Sequence, residues 1–417
     1  TRTISISISI NSISRMGYNL IGNVLSLPYM VLFFAVWLIA SLHRPLLLAC
    51  IVSALTTPVA TIRKLKMFVT TVQYLALCND KKFQKPKDDP QSFFKDAAAA
   101  DKQKDDKDRG DDDTSNTSRV EKKTIIFIRH GESTWNDTFN RGDRSKLNFL
   151  LSFFPNLLKA LCYEWYFFVT GKDLDSWFYD SPLSEKGLRQ ARGIQSFLAN
   201  HNPESVTNAN KREGEYIQYM LDASTNSILV SSNLRRAIST LAIGFQDRLQ
   251  DNPDETFLLL PQLQEMSRNP DALCILPAHD EKEQASKDKK KKNKVHLSWT
   301  DPTDLDTIFE TQIDTTLNTG NKAVDSVGLH RMQDFCRAVF EEEALATKDA
   351  ICAAGHSLWF RTFFQLYLPH NSTHVSKKKK LINGGCVGFT LLRIPNEAKG
   401  YQYMIDPKSV TVLYGGF

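Results

Sequence analysis

The stretch that most constrains this chain runs from Thr124 to Asn136. An apolar run, Thr124-Ile125-Ile126-Phe127-Ile128, ends abruptly in Arg129-His130-Gly131-Glu132-Ser133-Thr134-Trp135-Asn136. Bulky branched residues in an unbroken series make a strand that is buried on both faces. Such a strand needs helices above and below it. Gly131 then lets the backbone turn. The polar residues beyond it are delivered to the carboxyl end of the strand, where open α/β sheets bind ligands.

The same alternation recurs along the chain. Strands are expected at 124–128, 228–232, 257–260, 350–354 and 387–393, and helices at 184–199, 234–248, 326–345 and 358–368. Leu188, Ala191, Ile194 and Leu198 fall on one face of the first helix, and Leu329, Met332, Cys336, Val339 and Phe340 on one face of the third. Alternating strands and helices predict an α/β fold with a mostly parallel central sheet and helices on both faces.

Four further motifs stand in order after the first. Ser181-Pro182-Leu183-Ser184-Glu185-Lys186-Gly187 opens the first helix. Ile228-Leu229-Val230-Ser231-Ser232-Asn233-Leu234-Arg235-Arg236-Ala237 follows, completed by Thr240. Then come Leu263-Gln264-Glu265 and, after the apolar run 350–353, Ala354-Gly355-His356-Ser357. Together these segments resemble the histidine phosphatase superfamily, in the branch of the cofactor-dependent phosphoglycerate mutases and their phosphatase relatives. The resemblance covers roughly Lys123 to the C-terminus. It implies a phosphoglycerate mutase-like fold and a catalytic set of His130, Arg129, Arg236, Glu265 and His356, with Asn136 and Ser357 at the substrate.

The chemistry of these residues agrees. A histidine nucleophile needs one neutral ring nitrogen aimed at phosphorus and the other fixed by a hydrogen bond. Arg129 and Arg236 would clamp the phosphoryl oxygens with permanent charge. Arg235 is expected on the surface, because the family pattern puts the functional arginine directly before the alanine. His356 stands where a helix starting near Ser357 turns free N–H groups towards an anion. Glu265 would protonate the leaving oxygen and later activate water, which calls for a raised pKa in a partly desolvated pocket. The expected route is a phosphohistidine on His130, then hydrolysis. His43, His279 and His374, taken singly, read as structural or surface residues.

Two departures from the family pattern narrow the activity. Met266-Ser267-Arg268-Asn269-Pro270-Asp271 replaces the glycines and glutamates typical of mutases, which favours a phosphatase. His356 is followed by Ser357 rather than by aspartate, which disfavours the acid-phosphatase and phytase branch. More than forty residues, 137–180, separate the first two motifs and are rich in aromatics, among them Phe149, Phe153, Tyr163, Trp165, Phe167 and Trp177. They read as the core of an inserted helical cap, or as an apolar lid or membrane-facing surface.

Charged residues at 24% and hydrophobic ones at 42% suit a globular enzyme, and a net charge of +5 does not call for nucleic acid. Seven cysteines without CxxC spacing give neither a disulfide framework nor a zinc site. No metal ligand set and no cofactor are expected.

Residues 1–78 are of a different kind and read as a hydrophobic membrane-anchor region. The segment from Leu20 to Leu42 carries no charge, and about 20 apolar residues cross a bilayer as a helix. A second uncharged stretch, Pro45 to Ile62, could span, lie in the interface or form the return arm of a hairpin. Residues 79–121 form a mixed-charge tether expected to be disordered, ahead of a catalytic domain at 122–417 that carries the insert 137–180 and a Lys-rich loop at 281–294. That loop and Lys377–Lys380 could attract an anionic membrane or a polyanionic substrate. Arg63, Lys64 and Lys66 after the apolar stretches point to a cytosolic catalytic domain, against which stand glycosylation sequons at Asn116, Asn136 and Asn371. The sequence reading is therefore a membrane-tethered phosphomonoesterase acting on a small molecule or a phosphoprotein. The alternatives are mutase-type phosphoryl transfer and a non-catalytic scaffold that keeps the fold.

Overall fold

A computed structural model describes residues 51–52, 55–81, 120–201, 211–280, 295–396 and 400–417. The segment Leu20–Leu42, most of the expected tether and the Lys-rich loop 281–294 lie outside the described residues. The helices are α1 Pro58–Leu77, α2 Thr134–Phe139, α3 Lys146–Val169, α4 Glu185–Ala199, α5 Lys211–Leu221, α6 Arg235–Gly244, α7 Gln246–Asp251, α8 Asp306–Thr311, α9 Gly328–Glu341, α10 Glu343–Ala346 and α11 Ser357–Tyr367. The strands are β1 Glu121–Arg129, β2 Ser227–Ser231, β3 Phe257–Leu259, β4 Ile313–Asp314, β5 Ala350–Gly355, β6 Cys386–Asn396, β7 Gly400–Ile405 and β8 Thr411–Tyr414.

They form one sheet in the order β4-β3-β2-β5-β1-β6-β7, with β8 also paired to β6. The half from β4 to β1 is parallel, whereas β6 runs antiparallel to β1, β7 and β8. The sheet is thus mixed rather than mostly parallel. Antiparallel neighbours need only short connections, and three residues separate β6 from β7.

The apolar run of β1 does what its composition dictates. Ile126 and Ile128 face one side with Leu229, Cys352 and Ala354, against Ala191 and Ile194 of α4 and Leu241 of α6. Ile125 and Phe127 face the other with Ile351 and Ala353, against Met332 and Phe335 of α9 and Trp359 and Phe363 of α11. Alternate residues of a strand point to opposite faces, so an unbroken apolar run serves two helical layers at once.

The larger compact unit comprises Leu65–Phe167 and Leu174–Phe417. It takes in residues that the sequence reading gave to the anchor region and to the start of the tether. Met67 and Tyr74 of α1 are buried with Tyr179 and Leu273, and Asp80 is buried as well. The helix α1 runs from Pro58 through Ile62 to Leu77, so Arg63, Lys64 and Lys66 lie inside it. Among the described residues, no helix is long and apolar enough to cross a membrane.

Candidate active site

Strand register assembles the site. Arg129 of β1 lies opposite Gly355 of β5. The next residue on each parallel strand is a histidine, and the rings of His130 and His356 stand with centroids 5.0 Å apart. On the other side of β5, Ser231 pairs with Ala354. Ser232 follows, and its Oγ lies 2.9 Å from His356 Nε2.

His130 is buried, with Nδ1 2.6 Å from the carbonyl oxygen of Gly131. A carbonyl can only accept, so the proton sits on Nδ1 and the lone pair on Nε2. Arg236 Nε approaches that Nε2 at 3.3 Å. Burial, followed by the charges of Arg236 and Arg129, holds the imidazole well below its usual pKa. The ring is therefore neutral near pH 7, as a nucleophile must be. His356 is likewise held well below its usual value, chiefly by burial and then by Arg236.

The turn after β1 is fixed from three sides. The Gly131 N–H donates to Thr240 Oγ1 at 3.0 Å, and that hydroxyl donates to the Arg236 carbonyl at 2.7 Å. Asn383 Nδ2 donates to the His130 carbonyl at 3.1 Å. The Ser184 N–H donates to the Glu132 carbonyl at 2.8 Å. A Cβ on Gly131 would collide with the backbone of Gly187, and one on Gly187 with the backbone of Glu132. The glycine of the second motif is thus needed where its backbone meets that of the first.

The arginines differ in setting. Arg129 is partly exposed and donates to the Leu381 carbonyl at 2.5 Å, and burial of its head group lowers its pKa to about 10. Arg236 is buried, donates to the Asp271 carbonyl, and has Nη2 3.6 Å from Asp271 Oδ2. Arg235 is not on the surface. It is buried with Nη1 3.6 Å from Asp175, Nε 4.0 Å from Asp180, and further bonds to the carbonyls of Asp180, Leu174, Ser176 and Tyr179. Every residue of α6 is buried, so this helix has no solvent face to receive it.

Glu265 is buried at the start of α11. Its carboxylate accepts from Met266 N–H at 2.9 Å, Trp359 N–H at 3.1 Å and Leu358 N–H at 3.4 Å. The helix start expected to favour an anion thus holds a carboxylate. Ser357 is the buried first residue of α11, beside His356. Asn136 has its side-chain oxygen engaged by Asn140 one turn along α2, at 2.6 Å, instead of by the residues around His130.

Two groups of buried residues beside the site escaped the sequence reading. Asp271 is buried, and burial raises its pKa to about 6 against the opposing charge of Arg236. A buried ion cluster braces the Glu265 loop. Lys322 Nζ lies 2.7 Å from Asp80 Oδ2 and donates to the carbonyls of Glu265 and Ser267 at 2.6 Å each. Arg331 holds both Asp80 oxygens at 2.8 and 2.7 Å and donates to the Gln264 carbonyl at 2.5 Å. Nothing local in the sequence marks either group. Beside the turn after β1, a cavity of about 270 Å³ is lined by Glu132, Lys159, Trp177, Lys186, Arg189 and Trp299 among others, so that α3 supplies part of its wall. Among the described residues, no group of three or more His, Cys, Asp or Glu is placed to hold a metal ion.

No known protein-family profile matches the chain, and no curated protein matches it. Solved structures do. A phosphoglycerate mutase from Bacillus anthracis is 15% identical, with 69% of this chain and 92% of that one covered at a TM-score of 0.31. A phosphoserine phosphatase from Entamoeba histolytica is 15% identical over 70% and 98% of the two chains, with a TM-score of 0.29. A mycobacterial glucosyl-3-phosphoglycerate phosphatase is 13% identical over 68% and 97%, with a TM-score of 0.30. Likeness at this level assigns no residue its role.

Proposed function

We propose that this protein is a phosphomonoesterase that works through a phosphohistidine on His130. The observation that carries the reading is the orientation of this imidazole. Its Nδ1–H is spent on the Gly131 carbonyl, and its Nε2 lone pair faces Arg236 at 3.3 Å. A phosphoryl group entering between them would meet a nucleophile and a fixed guanidinium together.

In the first step Nε2 attacks phosphorus, a P–N bond forms, and the ester P–O bond breaks. The leaving oxygen takes a proton from the carboxylic acid form of Glu265. Water then attacks the phosphohistidine as the Glu265 carboxylate accepts its proton. The P–N bond breaks, and inorganic phosphate leaves with both groups restored. Arg129 and Arg236 offset the charge on the equatorial oxygens, and neutral His356 can donate to one of them. Asp271, with Oδ2 3.6 Å from Arg236 Nη2, is the alternative proton donor.

The test is p-nitrophenyl phosphate hydrolysis by the full chain, with His130→Ala, Glu265→Gln and Asp271→Asn alongside. His130→Ala should abolish turnover. Equal activity of wild type and His130→Ala would remove the reading. The larger loss between the two carboxylate variants identifies the acid.

A further inference from the structure

The helix α3 carries large apolar residues on both of its sides. Its inner side buries Ala160 and Phe167 and is otherwise aromatic and polar. Glu164, its only acidic residue, accepts from the N–H groups of Trp177 and Phe178 at 2.6 and 3.1 Å. Tyr163 stacks on Trp299 with centroids 5.0 Å apart, and Lys159 lies 5.4 Å over the Trp177 ring. These contacts set the rotation of the helix. They leave Leu147, Leu150, Leu151, Phe154, Leu158 and Leu161 facing outwards, each more than half exposed and Phe154 at 70%.

Spacings of three and four residues put these six side chains on one stripe, roughly 21 Å long at 1.5 Å per residue. A contiguous apolar patch of this kind marks an interaction surface. Three features say what covers it. The stripe exposes no carboxylate, because Glu164 is turned inwards. Arg141, Arg144 and Lys146 gather at its N-terminal end, and the neighbouring Asp143 is paired with Lys186 at 2.8 Å. The uncharged segment Leu20–Leu42, earlier in the same chain, has the length and composition to bring a bilayer to the protein. Apolar area edged by cations, with the neighbouring acids Asp137 and Asp143 engaged in ion pairs with Arg144 and Lys186, is complementary to an anionic lipid surface. Within α1, Phe68, Val69 and Val72 form a second exposed apolar face beside Lys66.

We propose that the outer face of α3 is a membrane-docking surface that lies in the headgroup–acyl boundary of an anionic phospholipid bilayer. The helix rests in the plane of the interface and does not span it. This surface is distinct from any anchor in the first fifty residues, and it holds whether or not His130 is a nucleophile.

Cys162 provides a local probe, since it is exposed on α3 while Cys274, Cys336, Cys352 and Cys386 are buried. The full chain with Cys50→Ser and Cys78→Ser is labelled at Cys162 with bimane and mixed with phosphatidylcholine–phosphatidylserine vesicles carrying doxyl lipid. Lipid-dependent quenching is expected, and replacing Leu151, Phe154 and Leu158 by Gln should weaken vesicle partitioning by roughly tenfold or more. The substituted side chains are exposed, so the fold should survive, as its melting temperature would show. A label left unquenched on vesicle-bound protein would overturn the proposal, since the N-terminal segment alone would then be the anchor. Unchanged partitioning of the triple variant would do the same. So would protection of Cys162 in a stable dimer, detected by light scattering, which would assign the stripe to a second copy of the chain.

Discussion

Replacing Asp80 by alanine should damage both stability and turnover, although this residue lies more than forty positions before β1. The side chains of Asp80 and Lys322 are about 1% and 0% exposed, and that of Arg331 is 9% exposed. Removing the carboxylate leaves two cations in a desolvated pocket with only carbonyl oxygens for partners. Breaking a buried pair by deleting one member costs about 3–5 kcal/mol, because the remaining charge is uncompensated. For a domain of this size each kcal/mol lowers the melting temperature by about 2–4 °C, so a drop of roughly 10 °C is expected. Turnover should fall too, since the same cations hold the carbonyls of Gln264, Glu265 and Ser267. Asp80→Asn keeps the volume and loses the charge, and should be nearly as harmful. The assay is a thermal melt of the full chain beside p-nitrophenyl phosphate kinetics at a temperature where the variant stays folded. If Asp80→Asn melted within about 2 °C of wild type, the cluster would not be bracing the loop, and the argument from buried charge would be wrong.

Arg236→Ala should lose about 10²–10³-fold in kcat by removing a fixed charge at the phosphoryl group. Arg235→Ala should instead show its main loss in the melting temperature, because Asp175 and Asp180 are left buried without their cation; the reverse pattern would exchange the two roles. Rapid quenching with a labelled phosphate ester should trap acid-labile, base-stable phosphate on His130, and label on His356 or a serine would refute the assignment. The folded-state pKa of Asp271, about 6, lies above its ordinary value of 3.8, so its contribution to stability is present below about pH 4 and lost as pH rises through about 6. Asp271→Asn should therefore melt higher relative to wild type at pH 7 than at about pH 4.5, and a pH-independent difference would contradict that sign. The His130 Hε1 resonance should stay unshifted as pH is lowered from about 7.5 to 5.5, because its pKa is held well below the ordinary value of about 6.5; a titration near 6.5 would show a solvated ring.

What the sequence determined by itself is local or periodic. Ile125–Ile128 report burial on two faces through side-chain type alone, and Leu188, Ala191, Ile194 and Leu198 report one helical face by spacing. The motif residues at strand ends were legible as a group because residue type and position relative to a strand mark them, and the structure brings His130, His356 and Ser232 together. Tertiary structure decided the rest. The register between β1 and β5 brings His130 beside His356, 226 positions later in the sequence. Arg235 resembled a surface residue because periodicity finds an outer face only when a helix has one, and α6 is buried on every side. The antiparallel strands β7 and β8 gave little signal, since they are short and partly exposed and alternate weakly. Asp80 meets Lys322 and Arg331 across 242 and 251 residues, a separation at which no window of sequence can register charge complementarity. The outward stripe of α3 was equally hidden. Apolar residues occur all round this helix, and the contacts of Lys159, Tyr163 and Glu164 with residues 176–178 and Trp299 determine which of them face solvent.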